Sequence, residues 1–488
     1  MTIFIHAYRS FSMRYIAGTD ILAALKDSGE QIVLFVHDNE VTHFQKIFPE
    51  KQITIEPVLY NQSVQNIRQN TLIRSLNLIR IMTSGSTTNI FNHTINLRKK
   101  QYKSEFTSLR GNLVFMGIKF TSWLTCHSYF IRKTLIFFIS LILSGKMYDT
   151  YFTQYKPNLL LISSLGYGID IAFMNSAKRH GCKIISIPHS WDNSSNKGYR
   201  GCLPDKVITW NDNMAKEVEA FHDINKDNIY SGGIAHWDNY LNKHFLQISK
   251  QDFFKRKSLN NNKKLIFYGL GAPRHFERRF DVIEGILEAM LMNKIKPLSQ
   301  LLVRFHPQHL SVRADGSSAL SQYVPLINSM RETYGDLVHF WEPKQPHLNE
   351  QTSLEMTDMY EMAEAIINCD VVVQEYSTLI MESSLFNKPT INISMYNWEK
   401  RFPSDTIEGF THLKRILSYK SVRTVRTFEE FTQIANMYLD DPEVDAVNRK
   451  LLFDNEIGVN HGLAGQYIGQ YIINYMNEIK NIKTTEMY

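Results

Sequence analysis

Residues 186 to 218 read SIPHSWDNSSNKGYRGCLPDKVITWNDNMAKEV. The stretch opens at the end of an apolar run, Ile184, Ile185, Ser186 and Ile187. Such a run is the pattern of a buried strand, and Pro188 stops it because proline donates nothing to a sheet ladder. An imidazole, an indole and a carboxylate follow within four residues (His189, Trp191 and Asp192), and a polar loop then carries one lysine, Lys197. KVITW starts the next strand. Strands that end in titratable side chains fit an open parallel sheet, whose ligands bind outside the carboxyl ends of its strands.

The same alternation extends in both directions. IVLFVH (Ile32 to His37) follows an amphipathic stretch from Ile16 to Lys26, and LLLISS (Leu159 to Ser164) precedes IDIAFMNSAKRHG. Upstream of LLLISS, residues 61 to 155 read as a largely helical insertion. The segment from Lys243 to Lys264 is polar and reads as a linker. Beyond it KLIFYGLG, LLVRFHP, LVHFW, VVVQ and PTINI are spaced for intervening helices. The expectation is an α/β protein of two Rossmann-like domains, 1–242 with the insertion and 263–488, facing each other across a cleft.

Composition narrows the function. A chain of 488 residues is too long for one hydrophobic core. Its 54 basic against 48 acidic residues give a net +6, far from the clustered charge of a nucleic-acid binder, so no nucleic-acid partner is expected. The four cysteines form no CxxC pair, which points to neither a zinc site nor a disulfide framework, and a reducing cytoplasm is the simplest setting. No basic segment leads into a long apolar one at the start of the chain, so no signal peptide is expected. The most apolar segment, Thr134 to Gly145, is about a dozen residues where a spanning helix needs about twenty. It reads as a buried helix or as one resting on a membrane surface, with Arg98, Lys99, Lys100, Lys103 and Arg110 upstream to face lipid phosphate.

Three constellations carry candidate chemistry. His189 stands just past a strand and can accept a proton or, when charged, hold a phosphate; Asp192 suits the first task and Lys197 the second. The alternative is a loop in which Asp192 and Asn193 stabilise a turn and Trp191 packs on the core. In LLVRFHPQH, Arg304 and His306 occupy alternate positions at a strand end and so share a side. In DVVVQEYSTLIMESSLFNKPTINI a strand runs into Glu375, Tyr376, Ser377 and Thr378, where Ser377 or Thr378 fits a helix N-cap and the exposed amides suit an anion. Glu382 lies one turn beyond Thr378, on the same face, placed to accept hydrogen bonds from ribose hydroxyls.

Together HSWDNSSNKG, PDKVITWNDNMAKEV, RFHP and YSTLIMESSLFNKPTINI resemble the ordered motifs of bacterial surface-polysaccharide glycosyltransferases of GT-B architecture. That group is related to CDP-glycerol glycerophosphotransferases, polysialyltransferases and capsule Kdo transferases. The resemblance covers about residues 155 to 470 and omits the helical insertion. It implies an inverting transfer from a nucleotide-sugar donor to a glycan or lipid-linked acceptor of capsule or lipopolysaccharide. Residues 1–242 would be the acceptor domain and 263–488 the donor domain. Arg304 and His306 would contact the donor phosphate, Ser377 and Thr378 would cradle it, Glu382 would hold the ribose and Lys197 would assist. The glycerophosphotransferases carry Trp-His-Gly near His189, where this chain has His-Ser-Trp-Asp, so the base stays open between His189 and Asp192. No DxD motif occurs, so the expectation is no metal and no cofactor, with peripheral contact at the inner membrane. A CDP-alditol phosphotransferase, a sugar-nucleotide epimerase and a noncatalytic glycan-binding protein are the rival readings.

Overall fold

The computed structural model describes residues 1–86, 88, 108–241, 249–273, 276–310, 317–343, 357–398 and 404–485. The basic residues Arg98, Lys99, Lys100 and Lys103 lie outside them. The chain divides into two compact α/β units.

The first unit holds seven parallel strands: β1 (Thr2–His6), β2 (Gln31–Val36), β3 (Ile53–Pro57), β4 (Leu159–Ile162), β5 (Lys183–Ser186), β6 (Lys206–Thr209) and β7 (Ile229–Ser231). Their order is β3-β2-β1-β4-β5-β6-β7, so β1 lies at the centre, with Ile5 in register with Leu34 and Leu161. Such a strand is covered on both faces and reads as a continuous apolar run rather than an alternating one. TIFIH fits that pattern, although it is not among the strands expected from the sequence. The core behind it is aromatic: Phe4, Phe35, Phe152 and Phe173 pack with ring centroids about 5 to 6 Å apart.

Between β3 and β4 comes the helical insertion, with helices Tyr60–Gln69, Thr71–Met82, Leu109–His127, Tyr129–Ile142 and Asp149–Tyr155. The middle three share a core of Ile73, Ile79, Phe115, Ile118, Leu135 and Ile139. In the segment read as a buried helix or as one resting on a membrane surface, Leu135 and Ile139 are buried, whereas Phe137, Phe138 and Leu141 are exposed. Among the described residues no helix is long and apolar enough to cross a membrane.

The second unit has six parallel strands, β8 (Lys264–Gly269), β9 (Ser299–Arg304), β10 (Val338–Trp341), β11 (Val371–Gln374), β12 (Thr390–Ile393) and β13 (Arg423–Val425), in the order β10-β9-β8-β11-β12-β13. Two boundary expectations need correction. The segment read as a linker contains a helix, Lys250–Arg256, capped by Ser249, whose Phe253 and Phe254 are fully buried in the second unit's core. Two adjacent phenylalanines inside a polar stretch are too short a signal for a periodicity argument. The chain from Val459 onward clusters with the first unit rather than the second, so 263–488 is not one domain. The helix Ala464–Thr485 buries Ile468, Ile472 and Met476, packs along the helix Asp20–Asp27, and ties Lys480 to Glu30 at 2.5 Å.

Candidate functional site

In both sheets the strand order reverses at one point, between β1 and β4 in the first unit and between β8 and β11 in the second. In open α/β sheets ligands bind outside the carboxyl ends of the strands at such a point of reversal.

At the first of these points, Arg9 follows β1 and its Nη1 donates to Asp170 Oδ2 at 2.8 Å, while Ser164 Oγ donates to the same oxygen at 2.6 Å. His6, the last residue of β1, places Nδ1 3.5 Å from Asp170 Oδ1. His6 is buried, and burial lowers its pKa to about 4 against the attraction of Asp170. Burial alone would raise the Asp170 carboxyl, but Arg9, His6 and Ser164 outweigh it and hold the group below the usual carboxylate range.

His189 reaches this cluster from the loop after β5. Its Nδ1 lies 2.9 Å from the Ser163 carbonyl oxygen, which can only accept. The neutral ring therefore carries its proton on Nδ1 and leaves Nε2 as a bare acceptor. The Phe11 ring stacks on it at 5.9 Å. Burial first, and the Arg9 charge second, lower its pKa to about 4, while the Ser163 carbonyl and the Asp192 carboxylate act the other way. Asp192 is held within its own loop: Oδ1 accepts from Ser190 Oγ at 2.7 Å, Oδ2 accepts from Asn196 Nδ2 at 2.8 Å, and Lys197 Nζ stands 3.8 Å away. Trp191 is buried.

The helical insertion buttresses this loop. Arg80, buried on the helix Thr71–Met82, donates from Nη1 to the carbonyls of Lys197 (3.1 Å) and Tyr199 (2.5 Å). Gly198 between them has φ +77°, and a Cβ there would sit 2.3 Å from Ile81 Cα, so only glycine lets the loop approach the helix.

In the second unit the candidate residues lie at the ends of β9 and β11, on either side of β8. Arg304 ends β9 nearly buried, with Nη2 paired to the Asp358 carboxylate and its guanidinium 4.9 Å over the Trp341 ring. His306 does not share its environment: half-exposed, it opens the turn Pro307–His309, and its Nδ1 accepts from Gln308 N at 3.1 Å. After β11 the chain turns through Tyr376 at φ +45°, a left-handed conformation that costs of order 1–3 kcal/mol for a non-glycine residue. Neighbouring groups hold the turn: Tyr376 N donates to Asn392 Oδ1 (2.8 Å), and Ser377 N donates to Gln374 Oε1 (2.7 Å).

Thr378 takes the N-cap position of the helix Leu379–Leu385, but its side chain does not cap. Its Oγ1 donates to Glu382 Oε1 at 3.0 Å, and Ser377 Oγ accepts from Leu379 N at 3.3 Å instead. Glu382 Oε2 accepts from Tyr240 OH at 2.6 Å. Burial raises the Glu382 pKa, opposed by those two hydroxyls.

The sequence reading leaves out Arg9, Asp170 and Arg279 and gives Glu375, named at the end of its strand, no role. Glu375 is buried beside Ser377 and joins the reversal point of the second sheet: its oxygens accept from Gly271 N (3.1 Å), Tyr268 OH (2.9 Å) and Arg279 Nη2 (2.9 Å). The available signals were the glycine turns that directly follow apolar strands, LGYGID after LLLISS and GLGAP after LIFY. Among the described residues no group of three His, Cys, Asp or Glu side chains is placed to hold a metal ion.

No family model and no curated protein sequence matches the chain. Solved structures do. The UDP-GlcNAc 2-epimerase from Neisseria meningitidis bound to UDP-GlcNAc superposes with a TM-score of 0.51 at 12% identity over 97% of this chain and 100% of that one. A putative UDP-N-acetylglucosamine 2-epimerase from Listeria monocytogenes gives 0.53 at 9% over 98% and 97%. The architecture is of the GT-B type. The S. aureus MnaA–UDP structure agrees, with 0.52 at 10% over 98% and 97%. At these identities the likeness establishes the fold alone.

Proposed function

We propose that this GT-B chain is an inverting glycosyltransferase that moves a sugar from a nucleotide-sugar donor to a glycan or lipid-linked acceptor of capsule or lipopolysaccharide, working at the inner face of the membrane. The observation that carries the reading is the arrangement in the second unit. Arg304 and His306 at the end of β9, the glycine loop after β8, and Ser377, Thr378 and Glu382 after β11 end neighbouring strands around a reversal point.

In the donor half, His306 and the Arg304 guanidinium neutralise the donor phosphate. Ser377 and Thr378 cradle it, and Glu382, held by Tyr240 and Thr378, accepts from the ribose hydroxyls. In the acceptor half, His189 is the base. Its Nε2 takes the proton of the acceptor hydroxyl as that oxygen bonds to the anomeric carbon. The bond from that carbon to the phosphate oxygen breaks with its electron pair, which leaves on the nucleotide. Asp192 is a positioning residue: its carboxylate raises the imidazole pKa and so favours the imidazolium formed in the transition state. Lys197, 3.8 Å from Asp192, is the assisting cation of this loop.

A second reading, a sugar-nucleotide 2-epimerase, is favoured by two of the fold neighbours, each named an epimerase. Acceptor dependence separates the two. Purified protein is screened by thermal shift against nucleotide sugars, because a ligand of the folded state raises apparent stability. The stabilising donor is then incubated with and without surface glycan. Nucleotide release only with glycan is the transferase result, and stereochemical change of the sugar without glycan is the epimerase result.

A further inference from the structure

The two long helices of the insertion carry apolar stripes that no described residue covers. One face of each packs inward, through Phe115 and Ile118 on Leu109–His127 and Leu135 and Ile139 on Tyr129–Ile142. The other face carries Leu113, Met116 and Phe120 on the first helix and Phe130, Phe137 and Phe138 on the second, each between 51% and 76% exposed. Scattered surface apolar residues are ordinary, but stripes at helical spacing on adjoining helices mark an interaction surface.

The charge around the stripes selects the partner. From Ser108 to Tyr148 the chain has no Asp or Glu, whereas Arg110, Lys119, Lys133 and Lys146 are exposed on the same packet. The fifth cation, Arg132, is committed to Asp223 through two bonds of 2.8 and 3.0 Å. A second copy docked symmetrically through this face would set cations against cations. A surface that is apolar and purely basic at once matches acyl chains beneath anionic headgroups.

We propose that the helices Leu109–His127 and Tyr129–Ile142 seat their apolar stripes in the headgroup region of an anionic phospholipid bilayer, holding the protein on the membrane by insertion as well as by charge. The seat rests on the membrane contact in the reading above and not on the reaction. The same packet grips the Lys197–Tyr199 backbone through Arg80, so docking fixes the loop of His189 and Asp192 relative to the bilayer.

Flotation of the full chain with vesicles tests the seat. On equal mixtures of phosphatidylglycerol and phosphatidylcholine the protein floats and stays bound at high salt, because apolar insertion is not screened. On phosphatidylcholine alone it binds more weakly. Phe120→Glu with Phe137→Glu lowers the bound fraction about tenfold or more, because each places a charge at the interface. If that pair of changes unfolds the protein by circular dichroism, Phe120→Ser with Phe137→Ser must show the same direction of loss. Donor turnover with a short soluble acceptor stays unchanged in either folded variant, so failure of the seat and failure of the transferase reading are told apart. Absence of wild-type flotation, full release by salt, undiminished binding of the variants, or a dimer by light scattering that the variants split would each overturn the proposal.

Discussion

Both units run their strands 3-2-1-4-5-6 in local order, the first adding a seventh, and both join the point of reversal with an arginine–carboxylate pair, yet the two pairs are not alike. In the second unit Arg279 and Glu375 are wholly buried, and each carboxylate oxygen has two donors: Tyr268 OH and Arg279 Nε on Oε1, Gly271 N and Arg279 Nη2 on Oε2. In the first, Asp170 is equally buried, but the Arg9 side chain keeps 28% exposure, and neither His6 nitrogen nor Asp170 Oδ1 has a hydrogen-bond partner among the described residues. A saturated pair has nothing left to offer a ligand and acts as scaffold. The other pair leaves those polar atoms unmatched, beside the histidine proposed as base. The same topology thus holds a fully matched buried pair in one copy and a buried cluster with unmatched polar atoms in the other.

The contrast is most exposed to stability measurements. Glu375→Ala leaves the Arg279 charge buried without its partner and should cost ~3–5 kcal/mol in denaturant unfolding followed on the second unit. Asp170→Asn should cost less, ~1–3 kcal/mol, because Arg9 can turn toward water. Equal losses would mean that both pairs are scaffold.

For turnover, His189→Asn should reduce kcat by ~10²–10⁴ with donor affinity retained, as expected for a lost general base. Asp192→Asn should give a smaller loss, since it acts through His189. The reverse ranking would transfer the base to Asp192. His306→Ala should also lower turnover strongly with the fold intact, through loss of leaving-group stabilisation.

Acid should separate the units as well. Burial holds the folded pKa values of His6, His189 and His222 near 4 and that of His236 near 3, all in the first unit, against 6.5 when unfolded. Below pH 6.5 the unfolded chain binds protons that the folded unit refuses, so this stability is present above 6.5 and is lost as pH falls toward 4. Asp238, raised to about 6 by burial, acts oppositely but is one group against four. Among the described residues of the second unit, burial brings His309 alone to about 4 and lowers His339 without a comparable value. Amide exchange between pH 6.5 and 4 should therefore show the first unit opening first; simultaneous opening would remove the asymmetry.

The smallest effect is expected at Thr378→Val, which removes one hydrogen bond to Glu382 and should cost ~1 kcal/mol. A donor KM that rises further than this accounts for would place the hydroxyl on the ligand itself.

The sequence by itself determined the repeating strand-and-helix architecture, because buried parallel strands such as IVLFV, LLLI, LIFYG and VVVQ must be apolar throughout, and that run is local. It also brought out His189, Asp192, Arg304, His306, Ser377 and Thr378 as residues at or just past strand ends, because that position depends only on where an apolar run stops, and Glu382 by its one-turn spacing from Thr378 on the next helix. Only the tertiary structure could join Arg9 to Asp170 across 161 positions or Glu375 to Arg279 across 96, since a buried ion pair between distant segments leaves no periodic trace. It likewise decided that Asp192 is bound within its own loop while His189 keeps a bare Nε2, which depends on where the Ser163 carbonyl lies. The return of the C-terminal helix to the first unit was also beyond local reading: a helix records that one of its faces is apolar, but the surface that buries that face is set by the rest of the chain.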